Sequence, residues 1–370
     1  MRKNIVLLLF ILLALILAAC GSPAPADAPS AADAAPAAET SSEAQAPAAA
    51  PGEYNEAPQL AELVAAGTLP PVAERLPEEP LVITPLNEIG KYGGEQRGAA
   101  FGPQVGQLDT EALRMQSLLF IEPDLVTLTP NILLNYEHSE DFKTWTLHLR
   151  AGMKWSDGVP VTSEDVLFWW NDIILNTDYT PAPPDWVRIK GEIPTVTAPD
   201  EYTVVFEFPS SYSLFLPNMA FRGTSIFDFP KHYISQFHPN YVEEEELTAK
   251  VTELGYETWM VAVLDLIHPV NPDLPRISAW VNTTKNPETS ALYVRNPYYF
   301  KVDTENNQLP YIDSYALELA TDGEVLLLKA LNGELSWQEQ WINAPKNKSV
   351  LFDSQETGDY HLFEMTPTTV

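Results

Sequence analysis

A mixed α/β fold is predicted by three observations. Strand-like and helix-like periods alternate along the chain, their order lacks the regular spacing of βαβ units, and no segment repeats. The strand signal is clearest at Trp145-Thr-Leu147-His-Leu149-Arg150, where apolar and polar residues alternate and one face must be buried. Ser156-Asp157-Gly158 follows as a turn. Thr162 then precedes Glu164 and Asp165, an N-cap with acids in the first turn, where the helix dipole favours them. Val166, Trp169, Trp170, Ile173 and Ile174 continue at i, i+3, i+4, i+7 and i+8, the apolar face of an amphipathic helix.

Further along, Thr195 to Thr197 and Tyr202 to Phe208 flank a turn-rich link and predict a hairpin. The acidic run Glu243 to Glu246 reads as a solvated helix start. Strands are expected at Ala291 to Val294 and Tyr311 to Leu319, split by the polar turn Asp303 to Gln308. A helix from about Glu324 to Leu331 should stop at Asn332-Gly333.

The N-terminus has a different character. Arg2 and Lys3 precede thirteen apolar residues, Ile5 to Leu17, and then Leu17-Ala18-Ala19-Cys20-Gly21. Thirteen falls short of the roughly 20 residues a membrane-spanning helix needs, so residues 1–20 read as a signal peptide. The Leu-Ala-Ala-Cys sequence resembles the bacterial lipobox, which implies lipid attachment at Cys20, the single cysteine. No disulfide is then available to hold the fold. Residues 21–51 contain fourteen Ala, six Pro and four acids but no Lys or Arg. Such a segment cannot bury a core and reads as a tether. Residues 53–86 form a lead-in with one short helix around Leu60, Leu63 and Val64, so the tether and lead-in together span 21–86. The folded body is expected from about residue 87.

Net charge is −30, from 51 acidic and 21 basic residues, which excludes a nucleic-acid footprint because phosphate binding needs a basic surface. The acids are scattered, as solubility alone would require.

Trp145 to Arg150, then Gly152-Met-Lys154-Trp155-Ser156-Asp157-Gly158-Val-Pro-Val-Thr162-Ser-Glu164-Asp165-Val166, resembles the signature of family 5 extracellular solute-binding proteins. Tyr92-Gly-Gly94, Arg295-Asn-Pro-Tyr-Tyr299, Gln308-Leu-Pro-Tyr-Ile-Asp313 and Gly333-Glu-Leu335 extend the likeness. Two departures are local. Ser336 stands where the family commonly has an acid, and Pro275 to Trp280 lies near the place of an unrecognisable Gly-Thr-Gly-Pro-Tyr segment. The third is length, since family members are considerably longer.

The resemblance implies the class II periplasmic-binding-protein fold, two lobes closing about a hinge, with the second lobe largely absent from this chain. Residues 87–360 would be the first lobe with an inserted subdomain, and 361–370 the start of the crossover. It further implies an extracytoplasmic, lipid-anchored protein that captures a peptide, or alternatively an oligosaccharide, for an ABC transporter permease, with no enzymatic activity. The segment after the first strand, with Phe101, Gln104 and Val105, should border the cleft, as should the segment after Gly333-Glu334. In the latter, Trp337, Gln340 and Trp341 share one face if helical, giving two aromatic plates and an amide. The two tryptophans either line the cleft or pack the interior. Tyr179 and Trp186, flanking a Pro-rich loop, are further candidates, whereas Trp169 and Trp170 are expected in the core.

Catalytic and cofactor readings carry less. Ser-Asp-Gly at 156–158 is first a turn, and no base at useful spacing accompanies it. Glu164 and Asp165 are adjacent on a helix and do not face each other as a hydrolase pair would. The six histidines show no zinc-binding spacing. Asp303 to Asn307 lacks the central glycine and terminal glutamate of a calcium loop, and there is no Walker-type phosphate loop, so no cofactor or metal is expected. A secreted polysaccharide hydrolase stands as the alternative function.

Overall fold

The computed structural model describes residues 54–101, 116–285, 289–338 and 340–363. In chain order these form α1 (Pro58–Ala65), α2 (Val72–Arg75), β1 (Leu81–Ile83), β2 (Glu95–Ala100), β3 (Leu119–Ile121), β4 (Leu128–Pro130), β5 (Leu133–His138) and β6 (Thr144–Leu149). Next come α3 (Ser163–Phe168), β7 (Thr195–Asp200), β8 (Thr203–Glu207), α4 (Phe215–Arg222), α5 (Lys231–Ile234), α6 (Glu244–Glu253) and α7 (Trp259–Leu266). The chain continues through β9 (Trp280–Asn282), β10 (Ser290–Arg295), β11 (Lys301–Asp303), β12 (Ser314–Leu319), α8 (Gly323–Leu331), α9 (Lys348–Asp353) and α10 (Gln355–Gly358). The fold is mixed α/β, as the sequence predicts.

One sheet is antiparallel, ordered β5-β6-β8-β7. Its alternation is the one read from the sequence: Trp145, Leu147 and Leu149 on β6 are buried while their neighbours are half-exposed. They join the main core with Val166, Trp169, Trp170 and Ile173 from the helix that follows. The predicted hairpin of β7 and β8 closes the sheet, with Val196 opposite Phe206.

α3 starts on a capping box. The Thr162 hydroxyl accepts from the Glu164 amide at 3.3 Å, and the Asp165 carboxylate accepts from the Thr162 amide at 3.0 Å. After Phe168 the helix widens into a π-helix, Trp169–Ile174. Sequence periodicity predicts an ordinary helix here. The wider turn lets adjacent Trp169 and Trp170 both enter the core, at 1% and 2% exposure. Replacing Thr162 by Ala should cost about 1 kcal/mol, read as a lowered urea midpoint. Asp165→Ala should cost more, because its other oxygen also accepts from the Lys231 amide at 3.0 Å.

The second sheet is ordered β2-β12-β10-β9. β2 runs parallel to β12, and β12, β10 and β9 are antiparallel neighbours. α8 begins on an Asp322 cap and ends at Asn332, with Gly333 at φ +68°. A Cβ at Gly333 would lie 2.0 Å from the Gly358 carbonyl oxygen, so only glycine fits this stop.

The body begins earlier than residue 87, where the sequence places it. Asn55 forms a parallel bridge with Asn307, and β1 pairs in parallel with β11. Arg75, fully buried, donates to the carbonyls of Pro70 and Pro297, to the Gln308 side chain and to Glu56. Arg150, also fully buried, donates to the Asn131 and Glu79 carbonyls at 2.7 and 2.8 Å. Residues 54–83 are therefore part of the packed structure. The signal was weak because Asn55, β1 and Arg75 find partners more than two hundred positions away. The described residues belong to one compact unit, which spans residues 45–370.

Candidate functional site

The segment after Gly333-Glu334 docks along the outer edge of β2. The Ser336 amide donates to the Arg97 carbonyl at 2.7 Å, and the Ser336 hydroxyl accepts from the Arg97 amide at 3.1 Å. The Gln338 side-chain oxygen accepts from the Ala99 amide at 3.0 Å, and its nitrogen donates to the Gln340 carbonyl at 3.1 Å. Ser336, the position at which the sequence departs from its family's acid, thus serves as an edge partner for β2. Ile342, buried with Ala99, Leu326 and Leu351, anchors the far end.

This docking holds two tryptophans at the surface. Trp337 and Trp341 are 37% and 38% exposed, neither core nor free. Trp341 meets Phe101 edge to face, with ring centroids 5.7 Å apart and planes at 90°. Residues 336–338 and 340–342 are not helical. Trp341 has φ +70°, a backbone conformation a bulky residue adopts only when its surroundings fix it. The expected single helical face of Trp337, Gln340 and Trp341 is therefore corrected: Trp337 lies in an irregular stretch beside β2, and Gln340 and Trp341 lie in a turn at 340–342. Gln340 is half-buried, and its carbonyl also accepts from the Ile342 amide at 2.9 Å. Gln104 and Val105 lie outside the described residues.

Tyr179 is not brought to this wall. It packs on the main core, stacked on Trp259 at 5.9 Å and edge-on to Phe229 at 6.0 Å. Burial, with Asp228 nearby, pushes its phenol up to about 12. Trp186 likewise stacks on Trp169, at 6.1 Å. Both are packing residues, drawn in by aromatic neighbours that sequence spacing does not reveal.

The family-like motifs turn out to brace the scaffold. Ser156 exchanges two bonds with the Arg276 backbone, at 2.8 and 3.0 Å. Asp157 accepts from the Val159 amide at 3.1 Å and pairs with His232 at 2.8 Å. Burial would raise the Asp157 carboxyl, but these partners hold it below its ordinary value. A Cβ at Gly158 would stand 2.9 Å from the Tyr298 hydroxyl, so the first motif is closed against the Arg295-to-Tyr299 motif. Arg295 in turn donates to the Pro310 and Tyr311 carbonyls at 3.0 and 2.7 Å and to Asp313 at 2.7 Å. Asp303 accepts from the amides of Glu305 and Asn307 at 2.8 and 2.9 Å and from Tyr311, the geometry of a tight turn.

Two further concavities lie elsewhere. One, of about 360 Å³, sits among Gln116, Trp280, Tyr299 and Tyr311. Another, of about 860 Å³, lies between α6 and α7 and is edged by Asp178, Glu243 and Trp259.

Among solved structures, an oligopeptide-binding protein OppA matches 84% of this chain with a TM-score of 0.78 and 39% identity, over 49% of its own length. The periplasmic binding protein MelB from Agrobacterium fabrum C58, solved in complex with stachyose, matches 82% with a TM-score of 0.65 and 26% identity, over 46% of its length. The fold is thus that of the two-lobed periplasmic binding proteins. Residues 127–368 match the middle region of the bacterial extracellular solute-binding proteins, family 5, and the chain belongs to that family. A periplasmic alpha-galactoside-binding protein from Rhizobium meliloti is 34% identical over 313 residues, 78% of this chain and 42% of the relative. The chain spans about half the length of the relatives it matches.

Proposed function

We propose that this protein is the extracytoplasmic receptor of an ABC importer, which captures an oligomeric solute, a peptide or an oligosaccharide, and delivers it to the permease without transforming it. The reading rests on family membership over residues 127–368, with Trp337 and Trp341 half-exposed beside β2. The relatives named for oligopeptide and for alpha-galactoside binding support the same solute range. In this reading the body is one lobe of a pair that closes over ligand. Groups that could have served hydrolysis are committed elsewhere: Asp165 to the helix cap, Glu164 to Lys231 and Ser156 to Arg276.

A thermal-shift screen against short peptides and oligosaccharides is the test. A ligand at a hundred times its Kd should add about 2.7 kcal/mol of stability and raise Tm measurably. No shift with any member of either class, at millimolar concentration, counts against solute binding.

The N-terminal sequence supports anchoring by lipid on Cys20, with residues 21–51 as the tether. No helix among the described residues is long and apolar enough to cross a membrane. Cys20→Ser should move the protein from the membrane pellet to the soluble extracytoplasmic fraction. Retention of the variant in the pellet would remove the lipid anchor from this reading.

A further inference from the structure

We infer that Arg150 and Lys301 together hold a small monovalent anion, of the chloride type, inside the fold. The site is independent of the solute-receptor reading, and its role is structural: the anion fastens the lead-in to β11 and to the segment between β4 and β5. Two chains of contacts bring the cations to one place. Lys301 stands opposite Leu81 in the parallel pair of β1 and β11, and Arg150 Nη1 donates to the Glu79 carbonyl, two residues before Leu81, at 2.8 Å. From the other side, Arg150 Nε donates to the Asn131 carbonyl at 2.7 Å, and the Asn131 amide donates to the Leu118 carbonyl at 3.3 Å. Phe120, two residues on, lays its ring 4.7 Å from the Lys301 ammonium.

Both cations are out of water, at 0% and 5% exposure, and neither has an anionic partner in contact. Arg150 Nη2 is buried with no hydrogen-bond partner, and the Lys301 ammonium meets only the rings of Phe120, Tyr299 and Phe300 among the described residues. Glu79, the acid whose charge reaches Arg150, is exposed and bonds it through its backbone carbonyl. A buried donor without a partner calls for water or an ion, and two neighbouring buried charges of one sign call for the opposite sign. The Asn131 side-chain oxygen also lacks a donor, which makes water the rival occupant. Water would meet the donors but leave both charges uncompensated. Burial and the Arg150 charge together lower the Lys301 pKa to about 7, and Tyr299, raised by burial, adds no negative charge. Anion binding is therefore tied to protonation of Lys301.

The test measures Tm at pH 6 in sodium chloride against sodium gluconate of equal ionic strength. Chloride above its Kd should raise Tm by about 2 °C per tenfold increase in concentration. Lys301→Met, which keeps the packing and removes the charge, should lose that dependence. Raising pH from 6 to 9 neutralises Lys301 and should weaken chloride binding at least about tenfold. Anomalous diffraction from crystals grown in sodium bromide should place a peak between Arg150 Nη2 and Lys301 Nζ. An equal chloride dependence in Lys301→Met, or a bromide peak elsewhere with none here, overturns the site. No chloride effect and no peak overturn it in favour of water. A peak at this place with no chloride effect on Tm marks an adventitious ion only, and overturns it as well.

Discussion

Arg75→Ala is expected to destabilise the protein by about 3–5 kcal/mol, the cost of breaking a buried ion pair by removing one partner. The guanidinium is fully buried and ties three parts of the chain together: its own turn through Pro70, the lead-in through Glu56, and the β10–β11 region through Pro297 and Gln308. Its removal strands the Pro70 carbonyl and the Glu56 carboxylate in a partly dry environment. The Gln308 amide keeps its bonds to the Pro297 and Tyr299 carbonyls, at 3.0 and 3.1 Å, which limits the damage on that side. Burial lowers the Arg75 pKa while Glu56 raises it, and burial prevails, so the guanidinium is held in place against a desolvation cost that only its partners offset. Glu56→Gln should cost less, since the guanidinium keeps its carbonyl acceptors. Urea unfolding gives the size of the effect, and limited proteolysis gives its location. Cleavage in Arg75→Ala should begin within residues 54–83, and a stability unchanged to within 1 kcal/mol would show that this segment is not fastened through Arg75.

Those residues are also where sequence reasoning fell furthest short, for a physical reason. An arginine among prolines reads as solvent-exposed, and nothing local marks it as the centre of four side-chain bonds, two of them to residues more than two hundred positions away. Where structure is specified locally, the sequence was legible: the alternation of β6, the Thr162–Asp165 cap and the Asn332-Gly333 stop all depend on residues within one or two turns of each other. The π-helix at 169–174 was not legible. Spacings of i+3, i+4 and i+7 do not distinguish a helix that widens to admit two adjacent indoles from one that does not.

The site shows the same division. Trp337 and Trp341 could be picked out as aromatic plates, but their arrangement could not, because it follows from hydrogen bonds to a strand some 240 positions earlier. The motifs that identify the family are legible for a different cause. Gly158 against Tyr298, and Arg295 against Pro310, Tyr311 and Asp313, are close contacts that admit few substitutions. They specify the scaffold and therefore the class. At Ser336, where the family commonly has an acid, this chain still bonds the edge of β2.

Lys301→Met should change how stability depends on pH. Lys301, on β11, is 5% exposed, and its ammonium lies 4.7 Å from the ring of Phe120, 5.2 Å from Phe300 and 5.7 Å from Tyr299. Burial, and secondarily the neighbouring Arg150 guanidinium, lower its pKa from 10.5 to about 7. Arg150 is itself lowered to about 10 by burial, and the Tyr299 phenol facing the pair is raised by burial, so it supplies no negative charge. The sign follows from proton counts. Between about pH 7 and 10.5 the unfolded chain keeps a proton at Lys301 that the folded chain has lost, so stability rises with pH through this window. Below pH 7 both states are charged and the full desolvation penalty is present; above 10.5 both are neutral and it is gone. Lys301→Met removes the penalty at every pH, so the variant should be the more stable by a margin of about 3–5 kcal/mol near pH 6 that shrinks as pH rises. Urea titrations of both proteins at pH 6, 7.5 and 9 give the difference directly, with ionisations common to the two cancelling. A margin that stays constant from pH 6 to 9 would mean that the three rings hold the ammonium charged, their cation–π attraction compensating its burial.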